Sequence, residues 1–345
     1  MDYPPRESLI ASAIRAFLKM FFGLMGILIA FFVFAMLYSS VTISTPITIE
    51  EKTTLNILND AEGRREVLPS TTPAILEINL HGKIGDARGT DAQIFRNILN
   101  DSRTGHLAGN RVKGILLNFN TPGGTVVDSE AIYEMINEYK ARYNVPVYAF
   151  VEGLCASGGM YIAASSDKIF AGPSSIIGSI GVVIGPFFNV YETMEKWGVH
   201  AKTITEGLDK DTLNPTRPWR EGEGASIQAV TAFMYHRFVD IVTKARPRLD
   251  KAKLIEDYGA HVFDCVTAEK LGFIDVAMSS RNEALRELLI ASKIDSTKSY
   301  QVVSLSPKNA WISEFVSSES PLFSGKIKHT LETDKIREQP CFLYE

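Results

Sequence analysis

Apolar residues are spread unevenly along this 345-residue chain. Near the N-terminus they form one unbroken run, Met20–Tyr38 (MFFGLMGILIAFFVFAMLY), without a charged side chain. Coiled as a helix, the run would reach roughly 28 Å, about the thickness of a bilayer's hydrocarbon core. Between residues 39 and 72 the chain becomes Ser/Thr-rich and then charged, ending in Pro69 and Pro73. That composition predicts a linker, with one short helix around Leu55–Ala61. From Ala74 onward, short apolar runs alternate with helix-period stretches. AILEINL (74–80), VKGILLNFN (112–120), PVYAFV (146–151), KIFA (168–171) and HAKTIT (200–205) read as strands. DAQIFRNILN (91–100) and VVDSEAIYEMINEYKARY (126–143) have helical spacing. A longer helix is predicted over 222–249. Its Ile227, Val230, Phe233, Met234, Phe238, Ile241 and Val242 recur at three- and four-residue steps and should pack on a core. Residues 254–277 read as helix, short strand, short helix, short strand. The alternation predicts an α/β domain of parallel βαβ units over residues 73–293. Periodicity then fades, which predicts a loosely attached tail over 294–345.

Charge orients the first run. Arg6, Arg15 and Lys19 precede it, and no Lys or Arg follows until Lys52. The asymmetry predicts a single pass through the cell (inner) membrane by residues 20–38. Residues 1–19 would be cytoplasmic and everything later extracytoplasmic. A cleaved secretory signal is the alternative, although the run exceeds a usual signal core and no A-x-A site follows. Both readings export the remaining chain. Elsewhere, composition mainly excludes. Lys+Arg 36 against Asp+Glu 40 leaves a net charge of −4, which is no footprint for nucleic acid. Cys155, Cys265 and Cys341 are too few and too scattered for a disulfide framework or a zinc site, so no metal or other cofactor is expected. A chain of this length can build its core without such staples.

Two glycine turns each follow a predicted buried strand. Asn120-Thr121-Pro122-Gly123-Gly124 enters the helix that carries Ser129 and Glu130. Cys155-Ala156-Ser157-Gly158-Gly159 enters a short helix through Met160-Tyr161. In a parallel sheet both turns fall at the carboxyl edge, where open α/β folds bind ligands. A serine that opens a helix lies near unpaired N–H groups and the positive end of the dipole, and glycines beside it admit a substrate backbone. By itself Ser157 reads as an ordinary N-cap, with the glycines merely making turns. Lys210, between Asp209 and Asp211, by itself reads as a solvated loop residue. The histidines (81, 106, 200, 236, 261 and 329) stand in no triad context, and there is no G-x-S-x-G elbow.

Two more segments follow in order: Gly178-Ser179-Ile180-Gly181-Val182-Val183 and Thr205-Glu206-Gly207-Leu208-Asp209-Lys210-Asp211. With the two turns, these resemble the signal peptide peptidase A family of serine–lysine proteases. Its members carry D-S-P-G-G, A-S-G-G-Y-Y, G-S-I-G-V and S-G-x-x-K-D in this order. The resemblance covers residues 74–280. It implies a fold like that of the Clp protease subunit and the crotonases, with repeated ββα units and a mainly parallel sheet behind one N-terminal transmembrane helix. It implies Ser157 as nucleophile, Lys210 as general base and Ser179 as the residue that holds the lysine. Backbone N–H groups of Gly123 or Gly124, and of Gly158, would form the oxyanion hole. Single-repeat members form rings whose neighbouring subunits share serine and lysine. The resemblance therefore implies a homo-oligomeric, membrane-anchored serine endopeptidase that degrades signal-peptide remnants and other membrane-associated peptides.

The chain departs from the family pattern at Asn120, Thr121, Met160 and Glu206. None of these removes a nucleophile, a base or a backbone donor, but Glu206 placed beside Lys210 would favour the ammonium over the amine. A lysine base must be neutral, and its ordinary pKa of about 10.4 has to be lowered by burial, an interface or bound substrate. Cys155, the last strand residue before its turn, is predicted to pack inward. Gly185-Pro186-Phe187-Phe188, Trp197 and Trp219 are candidates for substrate pockets, subunit contacts or core. Two other functions stay open. A crotonase-type acyl-CoA enzyme would share the paired turns, although the anchor and the Ser157/Lys210 pair argue against it. An inactive, anchored oligomeric scaffold is the other.

Overall fold

The uncharged N-terminal run lies inside one helix, α1 (Leu9–Val41), in which Ile14–Phe34 is long and apolar enough to cross a membrane. This computed structural model describes residues 9–41, 51–86, 90–295 and 298–308. Cys341 and most of the expected tail lie outside them. The chain divides into two units, residues 1–50 and 51–345.

The second unit is built on one sheet. Its strands are β1 (Thr53–Leu58), β2 (Ala74–His81), β3 (Val112–Thr121), β4 (Val147–Ala156), β5 (Lys168–Ala171), β6 (Ile176–Gly178), β7 (Val262–Asp264) and β8 (Gln301–Pro307). They run in the order β1-β8-β2-β3-β4-β6-β7, with β5 also paired to β4. The inner pairings are parallel, and the outer pairs β1–β8 and β6–β7 are antiparallel. The α/β class with a mainly parallel sheet is as expected. Side chains alternate with the strand period of two. Leu76, Ile78 and Leu80, with Ile115, Leu117 and Phe119 and with Val147, Ala149 and Val151, fill one face. Ile75, Leu116, Tyr148 and Phe150 fill the other. The first face is covered by α2 (Ala92–Asp101), α3 (Val126–Tyr143), α4 (Gly158–Ala163), the last turns of α6 (Ala225–Ala245) and α8 (Cys265–Leu271). Helix α9 (Arg281–Ala291) covers the second through Ala284, Leu285, Leu288 and Leu289. The short helices α5 (Tyr191–Lys196) and α7 (Lys251–Lys253) bury no residue. Helices begin where the sequence supplies caps: the Asp91 carboxylate accepts from Ile94 N at 2.7 Å, and Ser280 with Glu283 forms a capping box.

Strand β4 changes partner along its length. Tyr148–Val151 pair with β5, whereas Leu154–Ala156 pair with β6. On its other side the register with β3 shifts between Phe119 and Thr121, where Asn120 Oδ1 accepts from Leu154 N at 3.3 Å. The end of β4, which leads into Ser157, is thus braced by β6 on one flank and by Asn120 on the other.

The structure differs from expectation at both ends and in one arm. The predicted helix at Leu55–Ala61 is strand β1 instead, held at its start by the Asp101 carboxylate, which accepts from the Lys52 and Thr53 amides at 2.7 and 2.8 Å. The stretch taken as a tail contributes β8, seated between β1 and β2. Its polar residue Gln301 is buried because Arg111 Nη2 donates to it at 2.5 Å and its own amide donates to Glu66 O at 2.8 Å. HAKTIT (200–205) forms no strand; all six residues are exposed, with no sheet edge alongside. Only the end of α6 packs as predicted. Phe238, Val239 and Val242 are buried, while Val230 and Phe233 are exposed.

Candidate active site

The two glycine turns stand at the carboxyl ends of the adjacent strands β3 and β4. Residues 82–85 hold the first turn in place. Gly82 N donates to Asn120 O (3.0 Å), Ile84 N to Gly123 O (2.9 Å), and Thr125 N to Ile84 O (3.1 Å). A Cβ on Gly124 would overlap the Ile84 backbone, and one on Gly123 would lie 2.7 Å from Gly158 N and 2.8 Å from Ser157 Cβ. Gly123 also has φ +96°. Only glycine allows the turns this close. The Thr121 hydroxyl completes the brace, donating to Gly82 O at 2.6 Å and accepting from Gly123 N at 3.1 Å. Gly123 N–H is therefore engaged. The N–H groups of Gly124 and Gly158 have no hydrogen-bond partner among the described residues.

Ser157 is half-buried, with φ 51° and ψ −120°. That conformation costs a non-glycine residue about 1–3 kcal/mol and persists only where the surroundings enforce it. Here Ser157 N donates to Gly178 O at 3.0 Å and Ser157 O accepts from Tyr161 N at 3.1 Å. Its Oγ caps nothing, so the ordinary N-cap role is not the one it plays. Helix α4, which it opens, is buried along its whole length. Ser129 Oγ supports the turn from below. It donates to Thr125 O at 2.8 Å and lies where a Cβ on Gly158 would fall.

Ala156 pairs with Gly178 in the β4–β6 register, so Ser157 and Ser179 are neighbours one residue further on. Ser179 is itself at φ 55°, with its N donating to His261 O at 2.7 Å. Lys210 is elsewhere. It is exposed in a turn where its N donates to Gly207 O at 3.3 Å. No hydrogen bond or ion pair joins its Nζ to Ser157, Ser179 or Glu206 among the described residues. One chain therefore brings Ser157, Ser179, Gly124 and Gly158 together, while Lys210, exposed on its turn, bonds to none of them. Cys155 packs inward as predicted: Sγ lies 3.7 Å from Met160 Sδ, and burial pushes its thiol pKa up, away from the thiolate. No cluster of metal-binding side chains occurs among the described residues.

The sequence reading missed Thr121, Ser129 and residues 82–85 as supports of the site. The pair of glycines flanking Ile84 was the available signal. Phe187, Phe188, Trp197 and Trp219 are exposed, which overturns a core role for these aromatic residues.

A profile of peptidase family S49 matches residues 140–295, a range that holds Ser157, Ser179 and Lys210. A putative signal peptide peptidase SppA of Enterococcus faecium is 37% identical over 164 residues, which is 48% of this chain and 47% of that one. Over residues 140–295 the chain is similar to peptidase family S49. A putative protease of Methanocaldococcus jannaschii is 33% identical over 198 residues, 57% of this chain and 61% of its own length. The chain spans about half the length of these relatives. Among solved structures it is similar to a ClpP1 mutant from Listeria monocytogenes, at 16% identity, 61% coverage of this chain, 94% of the other, and a TM-score of 0.39.

Proposed function

We propose that the protein is a membrane-anchored serine endopeptidase that cleaves peptides, signal-peptide remnants among them, with Ser157 as nucleophile and Lys210 as general base. The observation that carries this reading is Ser157 itself: a strained serine with a free hydroxyl, beside two unengaged backbone donors, within the residues that match the S49 profile. Neutral Lys210 Nζ takes the Ser157 Oγ proton as Oγ bonds to the scissile carbonyl carbon. The resulting oxyanion accepts from Gly124 and Gly158 N–H, while Gly123 shapes the turn. Collapse breaks the C–N bond, the departing amine takes the proton from Lys210, and water then releases the acyl group by the same steps in reverse order.

Because Lys210 is exposed and bonds to neither serine within one chain, the reading has a neighbouring subunit complete the site, as in a ring. The arm that carries Lys210 supports this. Val183 is 87% and Leu208 92% exposed, with Phe188, Trp197 and Ile204 also open, an apolar surface of the kind subunit interfaces cover. Helix α1 would anchor the ring, with the peptidase unit extracytoplasmic, as the flanking charges favour. The test is the full chain in detergent, incubated with casein or a synthetic signal peptide beside its Ser157→Ala form. Wild type should cleave, and the variant should fall by a factor of at least about 10³ while folding normally. Equal cleavage by both would remove Ser157 from the mechanism. No cleavage by a folded, oligomeric wild type would favour the scaffold reading.

A further inference from the structure

Lys210 sits between two carboxylates, an unfavourable position for a residue that must lose a proton. The segment that follows it answers this. Arg217 Nε donates to Asp211 Oδ2 at 2.8 Å, and its Nη2 reaches Asp211 Oδ1 at 3.1 Å and the Asp211 carbonyl at 2.9 Å. The same guanidinium donates to both Glu223 oxygens, at 2.7 and 2.9 Å. Glu223 in turn accepts from the amides of Leu213 at 2.6 Å and Arg220 at 2.7 Å, and its side chain is only 2% exposed. Arg220 Nη2 lies 3.4 Å from Asp209 and 3.6 Å from Asp211. Each aspartate beside Lys210 is thus held by an arginine, and Arg217, Asp211 and Glu223 form a knot of ion pairs. The other carboxylates in the segment, Glu206 and Glu221, pair with none of them, and among the described residues no charged group from another element forms an ion pair with Asp209, Lys210, Asp211, Arg217, Arg220 or Glu223.

Resting on the assignment of Lys210 as base, we infer that Arg217 and Arg220 are positioning residues that neutralise Asp211 and Asp209, so that neither carboxylate holds Lys210 as the ammonium. Arg217 is the more important. Its fork engages Asp211 at two oxygens while Glu223 fixes the fork from behind, whereas Arg220 makes longer, more exposed contacts. The Arg217 hydrogen bond holds the Asp211 carboxyl below its usual range, so the pair is fully charged wherever a lysine base operates. An unpaired carboxylate next to an amine stabilises the ammonium and raises the pH at which the base becomes available.

The experiment is the pH dependence of kcat/KM for the full chain cleaving casein-derived peptide. Arg217→Gln should move the acid limb up by about 0.5–1 pH unit, lowering activity near pH 7 by about three- to tenfold, while the alkaline plateau changes little. Adding Asp211→Asn should return the limb to its wild-type position. Arg220→Gln, an exposed change that keeps the knot, should shift it in the same direction by less. If Arg217→Gln lowers activity equally at every pH, or if Asp211→Asn fails to restore the limb, the knot only shapes the loop and the inference is wrong. Should Arg217→Gln fail to fold, an unmoved limb in Arg220→Gln is enough to overturn it. Undiminished activity in Lys210→Ala would instead sink the underlying assignment of the base.

Discussion

Ser157 and Lys210 belong to regions built on opposite principles. The serine ends a strand of a parallel sheet, opens a fully buried helix and is fixed through both its backbone groups. The lysine lies on an arm, roughly residues 182–224, with no strand and one short helix that buries nothing. Burial organises the first region. Polar bonds organise the second: Val190 N to Pro215 O, Asn189 Nδ2 to Arg217 O, Asn214 Nδ2 to Thr203 Oγ1, and the Arg217–Asp211–Glu223 knot. A nucleophile needs a geometry that does not move, which a packed core supplies. A lysine base needs removal from water only when substrate or a partner arrives, and an open arm can be covered at that moment. The difference between the regions is itself an argument for assembly.

The strongest way to break that argument is to divide the two residues between subunits. Ser157→Ala and Lys210→Ala proteins should each be inactive alone. Co-assembled in equal amounts, random neighbours would pair an intact Ser157 with an intact Lys210 at about a quarter of the interfaces, and activity should recover to about that fraction of wild type. A verified mixed oligomer that stays silent beside an active wild type would refute the shared site, and so would a fully active monomer.

Legibility in the sequence follows the same division. Strands and helices that bury a regular face were readable almost residue by residue. β2, α2, β3, α3 and β5 lie where periodicity put them, because alternating or helical apolar spacing is a direct record of burial. β1 and β8 were not readable. Their polar members, Thr53 and Gln301, are buried through the distant Asp101 and Arg111, a satisfaction that no local window contains. In HAKTIT and the first half of α6 the apolar pattern is genuine, but none of the described residues covers it. Of the candidate site, the order of the glycine motifs revealed the residues. It could not reveal which N–H groups were free, since that depends on the Thr121 hydroxyl.

Helix α6 allows the comparison to be sharpened within one element. Phe238 is 3% exposed and packs against Tyr161 with ring centroids 5.1 Å apart, whereas Phe233 is 68% exposed. Phe238→Ala should cost about 3–5 kcal/mol in urea unfolding. Phe233→Ser should change stability by less than about 0.5 kcal/mol, yet lower the sedimentation coefficient of the assembled protein. Equal stability losses at the two sites would mean that the whole helix is core. An unchanged sedimentation coefficient would remove Phe233 from the interface.

The smallest effect expected is acid loosening of the arm ahead of chemistry elsewhere. The Arg217 hydrogen bond lowers the Glu223 carboxyl from 4.5 to about 2, and Asp211 is lowered by the same partner. Because folding lowers these pKa values, the ion pairs contribute their full stability above about pH 4.5, lose it as the pH falls towards 2, and contribute nothing below. Trp219 reports on this knot, since its Nε1 donates to Asn214 O at 3.0 Å. The Trp219 share of the fluorescence, obtained by difference from a Trp219→Phe protein, should therefore change between pH 4.5 and 2. In Glu223→Gln the carboxylate is gone, the arm is already loosened at neutral pH, and the acid step should shrink to the part due to Asp211. A step of wild-type size in that variant would show that the arm is held by something other than its ion pairs. The contrast between a core held by burial and an arm held by charge would then fail.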